Sequence, residues 1–217
     1  MPMLAFLPLL AASWLTASPA PVPSSVLEAA QTAAAEIARV VAQDGPVEVT
    51  LFDENHTRDG AVTVMIGRDG TVDDDTRAEL EQMFRCKRTE RHHKIDKGLL
   101  AMLADVAAHY PGRTIEYVSA FRALDSATSR HHQGRAFDFR IAGVSSVEVR
   151  DYIWANHHEV GVGWYPENNF VHMDHRPGDR DYAWTQTSGR EHGNPFWSVA
   201  ARRAEPPVKR ERHRPGS

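Results

Sequence analysis

Apolar and polar residues alternate in two short stretches early in the chain, and such alternation is typical of strands with one buried face. The stretches are residues 46–52 and 61–66. The polar segment between them contains Asn55 and Gly60, which are residue types that favour turns. The pattern therefore predicts a β-hairpin, followed by a turn over residues 67–70.

Four other segments have apolar residues at the three- and four-residue spacing of amphipathic helices. They are residues 25–43, 74–84, 97–110 and 146–157. A side chain that favours helix starts precedes or begins each of them. These capping candidates are Ser24 or Ser25, Asp74 or Asp75, Asp96, and Ser145 or Ser146. The third helix is expected to end at Pro111 and Gly112.

Short strand-like stretches dominate the second half of the chain. They are residues 114–121, 135–141, 161–165 and 170–174. Because strands and helices are mixed along the chain without a regular strand–helix repeat, the order predicts an α+β fold. We expect a mainly antiparallel sheet with flanking helices.

The composition is that of one globular domain. With 217 residues, 41% of them hydrophobic, the chain is long enough for one substantial core but hardly for two. We therefore expect a single, monomeric domain over residues 24–200. The net charge of −4, with basic residues dispersed among acidic ones, gives no indication of a nucleic-acid partner. One cysteine, Cys86, can form neither an internal disulfide nor a thiolate metal site.

Both ends of the chain differ from its central region. Residues 1–20 are apolar with small residues at their end, which predicts a secretory signal peptide or a retained N-terminal anchor. This stretch is too short to cross a membrane comfortably, so no stable membrane span is expected. We accordingly expect an exported protein, periplasmic or secreted. Residues 201–217 are rich in charge and proline, which predicts a disordered basic tail.

Three residues with metal-binding side chains stand on or beside the predicted strands of the second half. Asp138 alternates with apolar neighbours, so its carboxylate faces away from the apolar layer. A neighbouring strand can present His172 to the same point, while His131 reaches it from a loop in which Gly134 permits close approach to a metal. Two imidazoles and one carboxylate suit Zn²⁺ with one coordination position open, which is typical of hydrolytic sites.

Histidine content alone is weak evidence for a metal site, because the chain contains twelve histidines. Most are expected to be surface residues or satisfied core residues. This group comprises His92, His93, His109, His157, His158, His192 and His213. Composition and strand position by themselves leave His131, Asp138 and His172 open between a metal site and a structural role.

Four blocks that contain these residues resemble, in the same order, the YcbK-like branch of the M15 peptidases. The blocks are SAFR at 119–122, SRHHQGRAFD at 129–138, GVGWYP at 161–166 and FVHMD at 170–174. This branch is related to D-Ala-D-Ala carboxypeptidases and dipeptidases and to the zinc domain of hedgehog proteins. The resemblance covers about residues 51–184.

The resemblance implies a zinc-dependent murein endopeptidase that hydrolyses peptide cross-links of bacterial peptidoglycan. It implies a hedgehog/D-Ala-D-Ala-peptidase-like fold in which His131, Asp138 and His172 hold Zn²⁺. Arg122 matches the arginine that helps to stabilise the transition state in the dipeptidase relatives. The simpler alternative for Arg122 is a surface ion pair.

The catalytic base has no direct match in the resemblance. The relatives place a glutamate or histidine two or three residues before the last ligand, where this chain has Phe170 and Asn169. Asp174, on the same strand face as His172, is the first candidate to accept a proton or to orient a ligand. Glu167, on the preceding turn, is the second candidate.

Three other functions fit part of the pattern. A zinc-containing cell-wall binding protein without catalysis fits because the base is unmatched. A D,D- or L,D-carboxypeptidase that trims stem peptides fits because the same chemistry cuts a different bond. An iron-dependent oxygenase uses a His-x-Asp pair like His172 and Asp174, but it requires a further histidine well downstream.

Overall fold

The computed structural model describes residues 45–57 and 60–193, together with Val26, Thr32 and Trp197. The chain divides into two units, residues 1–43 and residues 44–217, and every strand and helix bounded below belongs to the second. Apart from Val26 and Thr32, the predicted helix over 25–43 lies outside the described residues, as do the predicted signal segment 1–20 and basic tail 201–217. The predicted domain limits of 24–200 stay a prediction.

The described part of the chain forms one sheet of eight strands, in the spatial order β2-β1-β3-β4-β6-β5-β7-β8. In chain order the strands are β1 (Val47–Asp53), β2 (Ala61–Ile66), β3 (Thr114–Ser119), β4 (Ala136–Ile141), β5 (Val160–Tyr165), β6 (Phe170–His175), β7 (Tyr182–Thr187) and β8 (Arg190–Gly193). The first two strands pair antiparallel, which confirms the predicted hairpin. Strands β7 and β8 were not predicted from the sequence.

Three α-helices accompany the sheet in the described part of the chain: α1 (Asp74–Met83), α2 (Lys97–His109) and α3 (Ser146–Asn156). Their positions confirm three of the helices that the sequence predicts. The caps of α2 and α3 are Asp96 and Ser145, as expected. The cap of α1 is Asp73, whose side chain accepts a hydrogen bond from Thr76 N–H, so the expected caps Asp74 and Asp75 were wrong. Three consecutive aspartates made this start ambiguous, because each can serve as a cap.

The α+β class is confirmed, and the sheet is mixed. Most neighbouring strands are antiparallel, whereas β1 with β3 and β5 with β7 are parallel pairs. The β1–β3 connection contains β2, α1 and α2, which supplies the long crossover that parallel neighbours require. Helix α2 packs against β1 and β6, and α3 packs against β4, β5 and β6. None of the described helices is long and apolar enough to cross a membrane.

The middle of the sheet is buried on both faces where β4 and β6 meet. The predicted apolar side of β4 is in the core, with Phe137 and Phe139 almost fully buried. Asp138 on the other side of β4 is also buried, at 2% exposure, because side chains from outside the sheet cover it. Asp174 on β6 is completely buried. Because charged groups are rarely buried without partners, this face of the sheet marks a functional or structural centre.

Asp96 joins three segments next to this face. Its side chain caps α2 by accepting a hydrogen bond from Leu99 N–H, at 3.0 Å between the heavy atoms. The same carboxylate lies 2.5 Å from Nδ1 of His175 at the end of β6. Its backbone N–H donates to the carbonyl oxygen of Gly134, at 2.9 Å. The start of α2 is therefore fastened to β6 and to the loop that precedes β4.

Candidate metal centre

Strand pairing brings two of the predicted site residues opposite each other. Asp138 on β4 and His172 on β6 are direct cross-strand partners, and Oδ1 of Asp138 lies 2.7 Å from Nδ1 of His172. His131 reaches the same point from the loop before β4, with its Nε2 3.2 Å from His172 Nδ1 and 3.3 Å from Asp138 Oδ2. One ligand atom from each residue lies within 4.8 Å of the others. The structure thus brings together the three residues that the sequence indicated.

The far side of the His131 ring fixes which of its nitrogens is free. Nδ1 of His131 lies 2.6 Å from the carbonyl oxygen of Ala120. Because a carbonyl oxygen can only accept, Nδ1 carries the proton and donates it. In the neutral ring Nε2 therefore presents a lone pair toward Asp138 and His172.

The far side of the His172 ring also contacts a hydrogen-bond acceptor. Nε2 of His172 lies 3.0 Å from Oδ2 of Asp174, so this nitrogen donates to the carboxylate and Nδ1 is the one left to coordinate. Burial alone lowers the pKa of His172, but the hydrogen bonds with Asp138 and Asp174 raise it to about 9. The site thus attracts a positive charge at Nδ1, either a proton or a metal cation.

These contacts fit a divalent metal. One nitrogen from each imidazole and one carboxylate converge, and both imidazoles are oriented from behind by an acceptor, as is typical of metal-binding histidines. Burial raises the pKa of Asp138, but the neighbouring imidazoles of His131 and His172 hold it well below its usual range. The carboxylate is therefore ionised and available as a ligand. No other group of this kind occurs in the described residues, which include His92, His93, His109, His157, His158 and His192.

The carboxylate of Asp174 contacts Arg176 as well as His172. Nε of Arg176 donates to its Oδ1 at 2.6 Å, and Nη2 of Arg176 donates to its Oδ2 at 3.0 Å. Opposite it on β5 stands Gly161, where an added Cβ would lie 2.1 Å from Oδ2 of Asp174. The carboxylate therefore occupies space that only glycine leaves free, and its oxygens are already engaged by His172 and Arg176. This environment favours the orienting role over the proton-accepting role.

Gly134 was expected to permit close approach of its loop to a metal, and the structure shows a close contact with residues 93 and 94. It has φ of +65°, and an added Cβ would lie 2.4 Å from the carbonyl oxygen of Lys94. A side chain is excluded by the Lys94 carbonyl oxygen, by the ring of His93 and by the left-handed conformation, and the candidate metal ligands are not among the three nearest atoms. The close approach is thus between the loop and the segment before α2.

Arg122 lies beside the ligand set. Its Nη2 donates to Oδ2 of Asp138, and its Nε donates to Oγ of Ser119 at 2.8 Å. The side chain retains 41% of its exposure, whereas Asp138 is buried. The guanidinium therefore spans from the buried carboxylate to solvent, where it can contact a bound molecule.

A cleft of about 340 Å³ opens above the two histidines, and we call it the histidine cleft. His131 and His172 line its floor, and Tyr182, Trp184 and Glu191 line its wall. The hydroxyl of Tyr182 donates to Oε1 of Glu191 at 2.8 Å. These wall residues belong to β7 and β8, the two strands that were not predicted from the sequence. The Ser188-Gly189 turn between alternating residues was the available signal.

Glu167, the second candidate for the catalytic base, lies on a short 3-10 helix (Pro166–Asn168). It is exposed, and its Oε1 accepts a hydrogen bond from Ser188 N–H at 2.7 Å. It is not among the residues that line the histidine cleft. The structure thus places Glu191, and not Glu167, in the same cleft as the two histidines.

Comparison with known proteins identifies the family. The family model for peptidoglycan L,D-endopeptidase MepK, a branch of peptidase M15, matches residues 42–180. The chain belongs to this M15 family. The matched region contains all three residues of the candidate metal centre, together with Arg122 and Asp174. It ends before β7, so Tyr182, Trp184 and Glu191 lie beyond the match.

Two M15 relatives are similar to part of the chain. A Haemophilus influenzae protein named "Probable peptidoglycan L,D-endopeptidase MepK" is 31% identical over 46% of this chain and 60% of its own length. The Escherichia coli K12 protein named "Peptidoglycan L,D-endopeptidase MepK" is 32% identical over 46% of this chain and 62% of its own length. The chain thus spans about 60% of the length of these curated relatives. No solved structure gives a significant match.

Proposed function

We propose that this protein is an exported zinc-dependent endopeptidase that hydrolyses peptide cross-links in peptidoglycan. The observation that carries the proposal is the convergence of His131 Nε2, His172 Nδ1 and a carboxylate oxygen of Asp138 beside an open cleft. Membership of the M15 family and the names of its relatives support the substrate class. A fold like that of hedgehog and D-Ala-D-Ala peptidases is part of the same proposal.

Each residue of the centre has a separate task in this proposal. When bound by His131, Asp138 and His172, Zn²⁺ supplies Lewis-acid polarisation of the scissile carbonyl and lowers the pKa of water from about 16 to about 7. The Ala120 carbonyl and the Asp174 carboxylate hold the two rings in the tautomers that leave the coordinating nitrogens free. We therefore assign Asp174 to positioning.

Arg122 stabilises the charge that develops during attack. Its guanidinium is half-exposed next to Asp138, so it can donate to the oxygen of the scissile carbonyl as that oxygen becomes negative. A fixed cation at this place offsets the charge without reorganisation, because Ser119 and Asp138 already orient the side chain.

Glu191 is the proposed carrier of the proton. A carboxylate in the cleft can take a proton from the attacking water and deliver it to the nitrogen of the leaving amine as the C–N bond breaks. Tyr182 donates to Oε1 of Glu191 and leaves Oε2 available. Asp174 lacks this freedom, because its oxygens are engaged by His172 and Arg176.

The proposed function is tested with purified protein and cross-linked muropeptide dimers of known structure. We expect mass spectrometry to detect two peptide products with a new amine and a new carboxyl at the cross-link. Treatment with a chelator is expected to stop the reaction, and added Zn²⁺ is expected to restore it.

Other outcomes of this experiment identify other functions. Release of a single terminal amino acid from uncross-linked stems, with dimers left intact, would identify a carboxypeptidase. Zinc-dependent binding of muropeptides without any product would identify a wall-binding protein. Full activity after complete metal removal would contradict the proposal.

Replacement of Glu191 by glutamine tests the proton carrier. Because glutamine cannot accept the proton, we expect kcat to fall about 100-fold or more, while KM and bound zinc change little. Kinetics and metal analysis measure these quantities, and Glu79→Gln on the exposed face of α1 is the matched control. A loss with Glu167→Gln and none with Glu191→Gln would transfer the role to Glu167.

A further inference from the structure

A second cleft borders the candidate metal centre on the side of Arg122. It has a volume of about 280 Å³, and we call it the basic cleft. Lys87, Arg88 and Arg122 contribute cationic side chains to its lining, and Phe121 and Leu124 contribute apolar ones. Arg122 connects this cleft to the metal centre, because the same guanidinium donates to Asp138. A molecule bound in the basic cleft therefore lies next to the reacting groups.

The charges of the basic cleft are not balanced within it. Asp125 is the carboxylate in the lining, and its Oδ2 lies 4.0 Å from Nη1 of Arg122. Lys87 donates to the carbonyl oxygen of Val118 and lies 3.9 Å from Oδ1 of Asp53, so its charge is partly compensated. An excess of positive charge therefore remains on the wall of the cleft.

Arg88 is the cation with the most freedom to bind a ligand. It is exposed, and its guanidinium has no ion-pair partner among the described residues. Arginine binds carboxylates with two parallel hydrogen bonds, and such charge-assisted pairs are among the stronger polar contacts. Arg88 therefore provides an unused anion-binding group in the same cleft as Arg122.

The apolar part of the basic cleft restricts the kind of anion that fits. Leu124 retains 59% of its exposure, while Phe121 is buried beneath the surface. An aliphatic chain can cover Leu124 and gain free energy by removing apolar surface from water. The cleft thus suits a ligand with an aliphatic portion and a negative group, which is the chemistry of an aliphatic amino-acid residue with a free carboxylate.

We propose that the basic cleft is a substrate subsite that selects a cross-linked peptide by a free carboxylate on an aliphatic residue next to the scissile bond, with Arg88 as its main contact. This inference rests on the proposed function, because it concerns the substrate of the same metal centre. Arg88 acts in recognition, while Arg122 acts at the reacting carbonyl. The subsite therefore governs KM more than kcat.

Two muropeptide dimers test the subsite. One has a free carboxylate beside the cross-link, and in the other that carboxylate is a carboxamide. We expect the wild-type protein to have a KM about tenfold lower for the free-carboxylate dimer. Arg88→Gln is expected to remove this difference while kcat stays nearly unchanged. Arg91→Gln, an exposed arginine that does not line the cleft, is expected to keep it.

Equal KM values of the wild type for the two dimers would overturn the subsite, as would an equal loss on both dimers in Arg88→Gln. Calorimetric titration of the metal-depleted protein with each dimer gives a second measurement, which does not need turnover. If the wild type cleaves neither dimer, the proposed function fails. The binding preference and its loss in Arg88→Gln then still decide whether the basic cleft recognises the carboxylate.

Discussion

Replacing His131 with alanine is expected to abolish cleavage of cross-linked muropeptides and to leave the fold intact. The change removes one of the three proposed ligands, so zinc would be held by Asp138 and His172 alone and would be lost in dilute solution. It also leaves the carbonyl of Ala120 without its hydrogen bond, which costs about 1 to 3 kcal/mol. Activity assays, metal analysis and calorimetric melting measure the three effects.

His92→Ala is the matched control for this variant. His92 is an exposed histidine outside the candidate metal centre, so its removal is expected to change neither zinc content nor activity. Retention of normal cleavage by His131→Ala would refute the metal centre as the source of catalysis. If His131→Ala unfolds, the test is repeated with His131→Gln, which preserves more of the side-chain volume.

Replacing Asp174 with asparagine is expected to weaken zinc affinity about 10- to 100-fold, with activity recovering at high zinc concentration. The neutral amide removes the charge that orients the Nε2–H of His172 and leaves Arg176 without its anionic partner. Rescue by added zinc separates a positioning residue from a catalytic one. Competition with a fluorescent zinc chelator measures the affinity.

Asp75→Asn, at an exposed position in the first turn of α1, is the control for Asp174→Asn and is expected to keep wild-type zinc affinity. The alternative role predicts a different result. If Asp174 accepts the proton in the reaction, Asp174→Asn stays inactive at saturating zinc and its zinc affinity is unchanged. That outcome would identify Asp174 as the catalytic base.

The sequence predicted the elements that hold the candidate metal centre because their signals are local. Alternation places side chains on opposite faces of a strand, so Asp138 and His172 could be assigned to a shared face before any pairing was known. Capping residues likewise located the starts of α2 and α3. The motif blocks then selected three residues among many titratable ones.

The surroundings of the centre could not be predicted in the same way, because they depend on contacts between distant segments. The carbonyl of Ala120 carries no side-chain signal, yet it orients His131. Glycine at positions 161 and 163 of β5, opposite Asp174 and His172, did carry a signal, since glycine within a strand marks a close approach. Strands β7 and β8 were missed, and Glu191 was missed with them.

The contacts of Asp96 have a consequence for local opening of the domain. One aspartate fastens the first turn of α2, the end of β6 and the loop that carries His131. Local opening of the start of α2 therefore breaks hydrogen bonds to both β6 and this loop. We therefore expect a metal bound by His131, Asp138 and His172 to leave only when this connected unit opens.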